Sequence, residues 1–185
     1  EPSLTFTINS GLVTGDSAGT ALAGALTTST GAAAVAGTHS IQQGTLAASA
    51  LGYNLVYGNG TLTVDKAALT ANADAKAKTY GAAEPALTYS VGGTLFYGDT
   101  ASVVSGVSLS APTGASATAG LHTITATGGT ASNYTVTPVN GTLTVNKAPL
   151  VMVADDKSKV YGASEPVLTA STAAGQLRYS DTLSV

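Results

Sequence analysis

The sequence predicts an all-β protein, built as tandem head-to-tail β modules of about 81 residues with at most a short helix. Three observations predict it. Landmarks recur at a fixed offset: Tyr80-Gly81 returns as Tyr161-Gly162, and Glu84-Pro85 as Glu165-Pro166, 81 positions on in both cases. An offset that holds over a whole stretch marks a tandem array. Short runs of alternating apolar and polar residues are punctuated by Gly, Pro and Asn at regular intervals, which is the pattern of short strands and tight turns. Hydrophobic residues make up 44% of the chain and charged ones only 9%. Apolar positions that are this frequent and this patterned favour a packed fold over disorder.

Three further landmarks fix the register. Asn59-Gly60-Thr61-Leu62-Thr63-Val64 returns 81 positions on at Asn140–Val145. Gly15-Asp16 and Gly37-Thr38-His39 return as Gly98-Asp99 and Gly120-Leu121-His122, 83 positions on. The two-residue slip therefore falls between His39 and Tyr53, most simply in the Gln42–Gly52 loop. An indel that leaves its flanks in step marks a surface loop. Glu1-Pro2 aligns with Glu84-Pro85, so the chain opens inside one copy. It stops inside another, just past Asp181. Residues 1–66 form a copy that lacks its first strands, 67–148 a complete copy, and 149–185 the start of a third. The natural molecule is expected to be longer.

Each copy reads as a series of short strands. In the first, Leu4–Ile8 alternates as a strand and Asn9–Gly11 breaks it. Gly15–Leu26 is one helical turn or a loop, because its glycines oppose a long helix. Thr27–Gly37 is a low-complexity loop. Thr38–Gln42 and Asn54–Tyr57 read as strands, and Asn59-Gly60 as a type I′ hairpin turn that returns the chain through Leu62–Val64. In the complete copy, Leu69–Asn72 and Lys76–Tyr80 are the opening strands. Gly81–Pro85 is the turn before Leu87–Val91, with Pro85 fixing φ. Val103–Leu109 and Leu121–Thr127 alternate well. Asn133–Val136 and Thr142–Val145 are expected to pair through Asn140-Gly141. Pro138 cannot donate to a ladder, so it belongs on an edge or at a strand end. The third copy repeats the opening strands at Leu150–Val153 and Lys157–Tyr161. The sum is an antiparallel module.

Composition removes several function classes. The net charge is −3, and the basic face that an electrostatic nucleic-acid binder needs is missing. No apolar run is long enough to span a bilayer, so direct membrane insertion is not expected. Cysteine is absent, which excludes a disulfide framework, a thiolate metal site and a cysteine nucleophile. With no Trp and only 5% aromatics, the cores must be built from Leu, Val, Ile and Ala. A module of this size buries about 60% of its unfolded surface, and neighbouring copies add to a modest stability.

The order Tyr-Gly-Ala-x-Glu-Pro-x-Leu-Thr, Gly-Asp-Thr, Asn-Tyr-Thr-Val, Asn-Gly-Thr-Leu-Thr-Val-x-Lys-Ala resembles the MBG repeat of the YGX type. Such repeats stand in tandem in large bacterial surface adhesins and filamentous-haemagglutinin-like proteins. The resemblance covers essentially all 185 residues. It implies a mostly β, β-grasp-like module in the stalk of an exported protein, at the bacterial cell surface or outside the cell. It supplies no catalytic residues and no cofactor. The sequence departs from the pattern at Thr14, where the second copy has Tyr97, and at Ser180, where it has Gly98.

Candidate chemistry is sparse. His39 and His122 occupy equivalent positions, and one histidine per copy without cysteine is too little for a zinc site. Asp16, Asp99 and Asp181 recur as turn or cap residues. Asp99, with Asp74, Asp155 and Asp156 near the copy junctions, makes a weak set of calcium candidates. Tyr80, Tyr161, Tyr53 and Tyr134 recur at fixed positions, which favours core packing. Tyr97 and Tyr179 read as surface tyrosines, with an aromatic sugar platform as the functional alternative. Lys76, Lys78, Lys157 and Lys159 read as exposed charges guarding an edge strand. An isopeptide bond from such a lysine to Asn146 is disfavoured, because Asp65 stands at the equivalent position in the first copy.

The expected function is structural: the stalk or shaft of a bacterial extracellular adhesin or surface fibre. The junctions Val64–Leu69 and Val145–Leu150 leave about four residues between strands, which predicts a semi-rigid rod. The alternative is a binding module, in which the copies contact a glycan, a host or matrix protein, or each other as self-associating fibres. An enzyme is not expected, since no nucleophile–base pair, metal cluster or phosphate loop is present.

Overall fold

The computed structural model describes residues 2–29, 34–49 and 52–183. Among them the chain is mostly β. A four-residue helix, α1 (Ala18–Ala21), leads into β1 (Leu22–Ala23), β2 (Thr27–Thr28), β3 (Gly37–Gln42), β4 (Ala47–Ala48) and β5 (Gly60–Val64). The complete copy contributes β6 (Ala67–Ala73), β7 (Lys76–Thr79), β8 (Tyr89–Gly93), β9 (Ser105–Ser110), β10 (Gly120–Thr130), β11 (Tyr134–Val139) and β12 (Gly141–Asn146). The third copy adds β13 (Met152–Ala154) and β14 (Ala170–Thr172). Glu1 of the Glu1-Pro2 landmark, residues 30–33 of the Thr27–Gly37 loop and residues 50–51 of the Gln42–Gly52 loop lie outside the described residues.

The chain divides into two compact units. The first comprises Glu1–Leu69, Gly93–Ser105 and Thr130–Val136; the second comprises Thr70–Gly92, Gly106–Gly129 and Thr137–Val185. The sheet orders are β1-β4, β2-β3-β5, β7-β12-β10-β9, β11-β6-β8 and β13-β14. In the first unit β3 and β5 pair antiparallel, with His39 opposite Leu62. In the second, β10 and β12 pair antiparallel in the same register, with His122 opposite Leu143. The period-two alternation of β10 and β12 sends Ile124, Ala126, Leu143 and Val145 inward. They form the core with Ala73 and Ala117, and Ile124, Leu143 and Ala117 are fully buried. Tyr80, Leu87 and Leu109 pack around this cluster. Several core positions are alanine, so the packing leaves little room for larger side chains.

Two sequence expectations about pairing are corrected. Asn140-Gly141 is not a hairpin turn, because β11 and β12 lie in different sheets. Neither residue has a positive φ, as a type I′ turn requires. Asn140 instead turns its side-chain oxygen to the Ala126 N–H at 2.9 Å. Gly141 is there for close approach: a Cβ would stand 2.4 Å from the Ala73 carbonyl oxygen. The module is also not wholly antiparallel. β12 pairs parallel with β7, with Leu143 opposite Lys76 and Asn146 opposite Thr79.

Three expected strands are missing among the described residues. Leu4–Ile8 lies outside any sheet. Its counterpart strand β8 pairs with β6, and residues 1–66 contain no counterpart of β6. Asn54–Tyr57 is irregular, and so is Lys157–Tyr161, the counterpart of β7. β7 is held by β12, and the third copy of this sequence carries no equivalent of β12 to hold it. Pro138 sits in β11, an edge strand, as its missing N–H demands.

Candidate functional site

The recurring polar residues are the candidates for chemistry, and the structure shows what each one touches. In the complete copy, Phe96, Tyr97, Gly98 and Asp99 make a tight turn closed by the Asp99 N–H on the Phe96 carbonyl at 2.9 Å. Tyr97 and Gly98 have φ of 53° and 82°, so both central residues are left-handed, as in a type I′ turn. The buried Tyr134 latches this turn. Its hydroxyl accepts the Phe96 N–H at 3.0 Å and donates to the Asp99 carboxylate at 2.7 Å. The first copy repeats the latch: the Tyr53 hydroxyl accepts the Val13 N–H at 3.0 Å and donates to Asp16. There Thr14 replaces Tyr97 and only Gly15 is left-handed. The third copy keeps the turn, with Tyr179 and Ser180 at φ of 49° and 69°. For Ser180 that geometry is strained in a way it is not for the glycine of the second copy.

The latch perturbs its phenols. The Phe96 N–H pulls the Tyr134 pKa down, but the Asp99 carboxylate that accepts its proton, together with burial, leaves it raised overall. The Tyr53 pKa is raised chiefly by its bond to Asp16. Tyr134→Phe removes a hydroxyl that satisfies two groups at once, leaving the Phe96 N–H and Asp99 without it. The melting temperature is expected to fall by roughly 5 °C, with a smaller fall for Tyr53→Phe at its half-buried site. Differential scanning calorimetry checks both, and an unchanged Tyr134→Phe transition would contradict the latch.

The other landmarks are spent in similar local pairs. Gly81 and Gly162 have φ of 78° and 84° in turns closed by Ala82 on Thr79 and by Ala163 on Val160. These are positions that glycine takes without steric cost, which is why Tyr-Gly recurs. Glu84, just before the half-buried Pro85, pairs with Lys78 and also accepts the Gly114 N–H at 3.2 Å. Lys78 corrects the exposed-lysine reading: its side chain is 3% exposed, buried on an edge strand with Glu84 as counter-ion. Glu165, before Pro166, pairs in the same way with Lys159, which is exposed. Asp74 accepts from Thr88, and Asp155 from Thr169 and Ser171. His39 and His122 each bond through Nε2 to a carbonyl four residues back, Val35 at 2.7 Å and Thr118 at 2.6 Å.

The calcium candidates are thus not brought together. Asp99 holds Tyr134, Asp74 and Asp155 hold threonines, and Asp156 joins none of them. Among the described residues no group of three His, Cys, Asp or Glu side chains is placed to hold a metal ion. Tyr161 corrects the core reading of its position: it is fully exposed, whereas Tyr80 packs on the core, donates to Asp181 at 3.2 Å and meets Tyr179 edge-on at 5.7 Å. Sequence reasoning missed the Tyr134–Asp99 and Lys78–Glu84 pairs. The signal that could have found them is joint recurrence, since each partner returns in another copy together with its mate.

Two surface clefts adjoin these pairs. One, in the first unit, has a volume of about 420 Å³ and is lined by Ala36, Ala67, Asp99, Phe96, Tyr97 and Asn133 among others. The other, in the second unit, has a volume of about 270 Å³ and is lined by Ala119, Ala148, Asp181, Tyr80 and Gln176 among others. Ala119, Ala148 and Asp181 are the repeat counterparts of Ala36, Ala67 and Asp99, so the two clefts share three lining positions, while their rings and amides stand at non-equivalent positions.

A family model described as the MBG domain (YGX type) matches residues 1–63 and again residues 69–144. No curated protein and no solved structure matches the chain.

Proposed function

The chain belongs to the MBG domain family of YGX type, as a tandem repeat region, and on that premise we propose that it is a stalk segment of a bacterial extracellular adhesin or surface fibre. One observation carries the reading. The polar side chains that recur from copy to copy are engaged in holding their own copy together: Tyr134 with Asp99, Lys78 with Glu84, Asp74 with Thr88. A spacer must rebuild the same fold many times, and residues kept for folding are the ones it repeats.

The test has two arms. Protease treatment of intact producing bacteria is expected to release peptides of this region while cytosolic proteins stay protected. Small-angle scattering on segments of one, two and three copies is expected to show a maximum dimension that grows by roughly 30 Å per copy, the diameter of a compact module of this length. Protection from external protease, or a dimension that levels off with copy number, would remove the stalk reading. A second reading, in which the copies themselves bind, is favoured by the open cleft beside the exposed Phe96 and Tyr97.

A further inference from the structure

We propose that the first of these clefts, at Phe96 and Tyr97, is a binding subsite for neutral saccharides. The inference rests on the second reading, that the copies themselves bind, and its failure leaves the stalk reading untouched. Each cleft brings together the same three kinds of group: an aromatic ring, a carboxylate and a side-chain amide. In the first unit these are Tyr97 with Phe96, Asp99, and Asn133. In the second they are Tyr80, Asp181 and Gln176.

Each group suits a sugar. A pyranose has an apolar C–H face that packs on the negative face of an aromatic ring. Tyr97 is 75% exposed and Phe96 47%, with ring centres 6.4 Å apart, so a broad aromatic surface stands open at the first cleft. Asp99 is oriented by the Tyr134 hydroxyl on Oδ2, and a carboxylate has capacity for further hydrogen bonds from sugar hydroxyls. Asn133 is oriented by the Ala36 N–H on its Oδ1 at 3.1 Å, and its amide nitrogen adds two donors. Both polar groups are therefore held in place before a ligand arrives, which lowers the ordering cost of binding.

Charge selects within the class. Lys147 lines the second cleft, but Asp65 and Asp99 line the first, and among the described residues no Lys, Arg or His does. Uronic, sialylated or sulfated sugars would meet like charge there. The volume of 420 Å³ lies at the small end of ligand pockets and fits one or two sugar rings. Affinity at one open cleft is accordingly weak, on the order of millimolar. Where an array presents the cleft more than once, avidity raises it by about 100-fold or more when several clefts engage one polysaccharide.

The experiment uses the whole 185-residue chain. Its 15N-labelled form is titrated with cellohexaose, maltohexaose, chitohexaose and lacto-N-neotetraose, and with oligogalacturonate as the anionic comparison, while amide shifts are followed by NMR. At least one neutral oligosaccharide is expected to shift the Phe96, Tyr97 and Asn133 amides and to saturate in the millimolar range. Tyr97→Asn keeps a residue that tolerates the left-handed φ of 53° and removes the ring. It is expected to weaken binding at least five-fold with its melting transition retained. Tyr161→Ala removes a fully exposed ring outside both clefts and is expected to bind as the parent does. The proposal is overturned if no neutral sugar shifts these amides up to about 10 mM, if oligogalacturonate binds equally well, or if Tyr97→Asn binds like the parent.

Discussion

Leu143→Ala is expected to destabilise the protein by about 3–4 kcal/mol. Leu143 is 0% exposed and sits between Ile124, Val145 and the alanines of the core. The lost transfer energy of the side chain adds to the cavity left behind, and the sheet backbone on both sides limits collapse. Marginal stability of about 0.05–0.15 kcal/mol per residue gives a copy of this length only some 4–12 kcal/mol in all. The repeat counterpart is the informative comparison. Leu62 occupies the same register opposite His39 but is only half-buried. Leu62→Ala is expected to cost about 1–2 kcal/mol. Urea denaturation of the full chain measures both. Equal losses at the two sites would show that motif position, not burial, sets the cost.

Glu84→Gln is expected to cost about 2–3 kcal/mol, by leaving the Lys78 ammonium buried without its counter-ion. The figure sits below the range for fully buried pairs because Glu84 is 36% exposed and water partly screens it. Lys78→Met should cost less, since the remaining carboxylate can turn to solvent and to the Gly114 N–H. Glu165→Gln, in the exposed counterpart pair, should fall within about 0.5 kcal/mol of the parent. The pair also sets an acid limit. The bond from Lys78 holds the Glu84 pKa below its ordinary value. A lowered folded pKa means that the unfolded chain binds the proton more readily, so this contribution is fully present above the unfolded glutamate pKa of about 4.3. It fades as pH falls from there through the lowered folded value. Stability measured against pH should therefore drop less steeply below about pH 4.3 in Glu84→Gln than in the parent. A parallel acid profile would contradict the assignment.

These two cases show what was legible in the sequence. The register of the copies was plain, because turn chemistry is local: Gly81 and Gly162 mark left-handed turns wherever they stand. The mostly β class was plain from the same punctuation. Strand partners were not, because pairing is decided by distant residues. Asn140-Gly141 has the letters of a hairpin turn, yet its glycine answers to the Ala73 carbonyl and its asparagine to Ala126. The same dipeptide serves two physical needs, and periodicity cannot separate them. Lys78 was misread because lysine is seldom buried, and its partner lies across a turn. Tyr161 was misread because a repeat position was equated with an environment. Like Tyr80 it is followed by Gly-Ala in sequence, but it does not have the same neighbours in space.

The pairs that hold each copy have a consequence for heredity. Asp74–Thr88, Lys78–Glu84 and Asp99–Tyr134 all begin and end within one period of 81 residues. An unequal exchange between two copies of the gene adds or removes a whole period in frame. Every such pair survives that event with both partners, and no surviving partner loses its mate. Length can then change in steps without passing through an unfoldable intermediate, and a lineage can retune how many copies it carries by recombination alone.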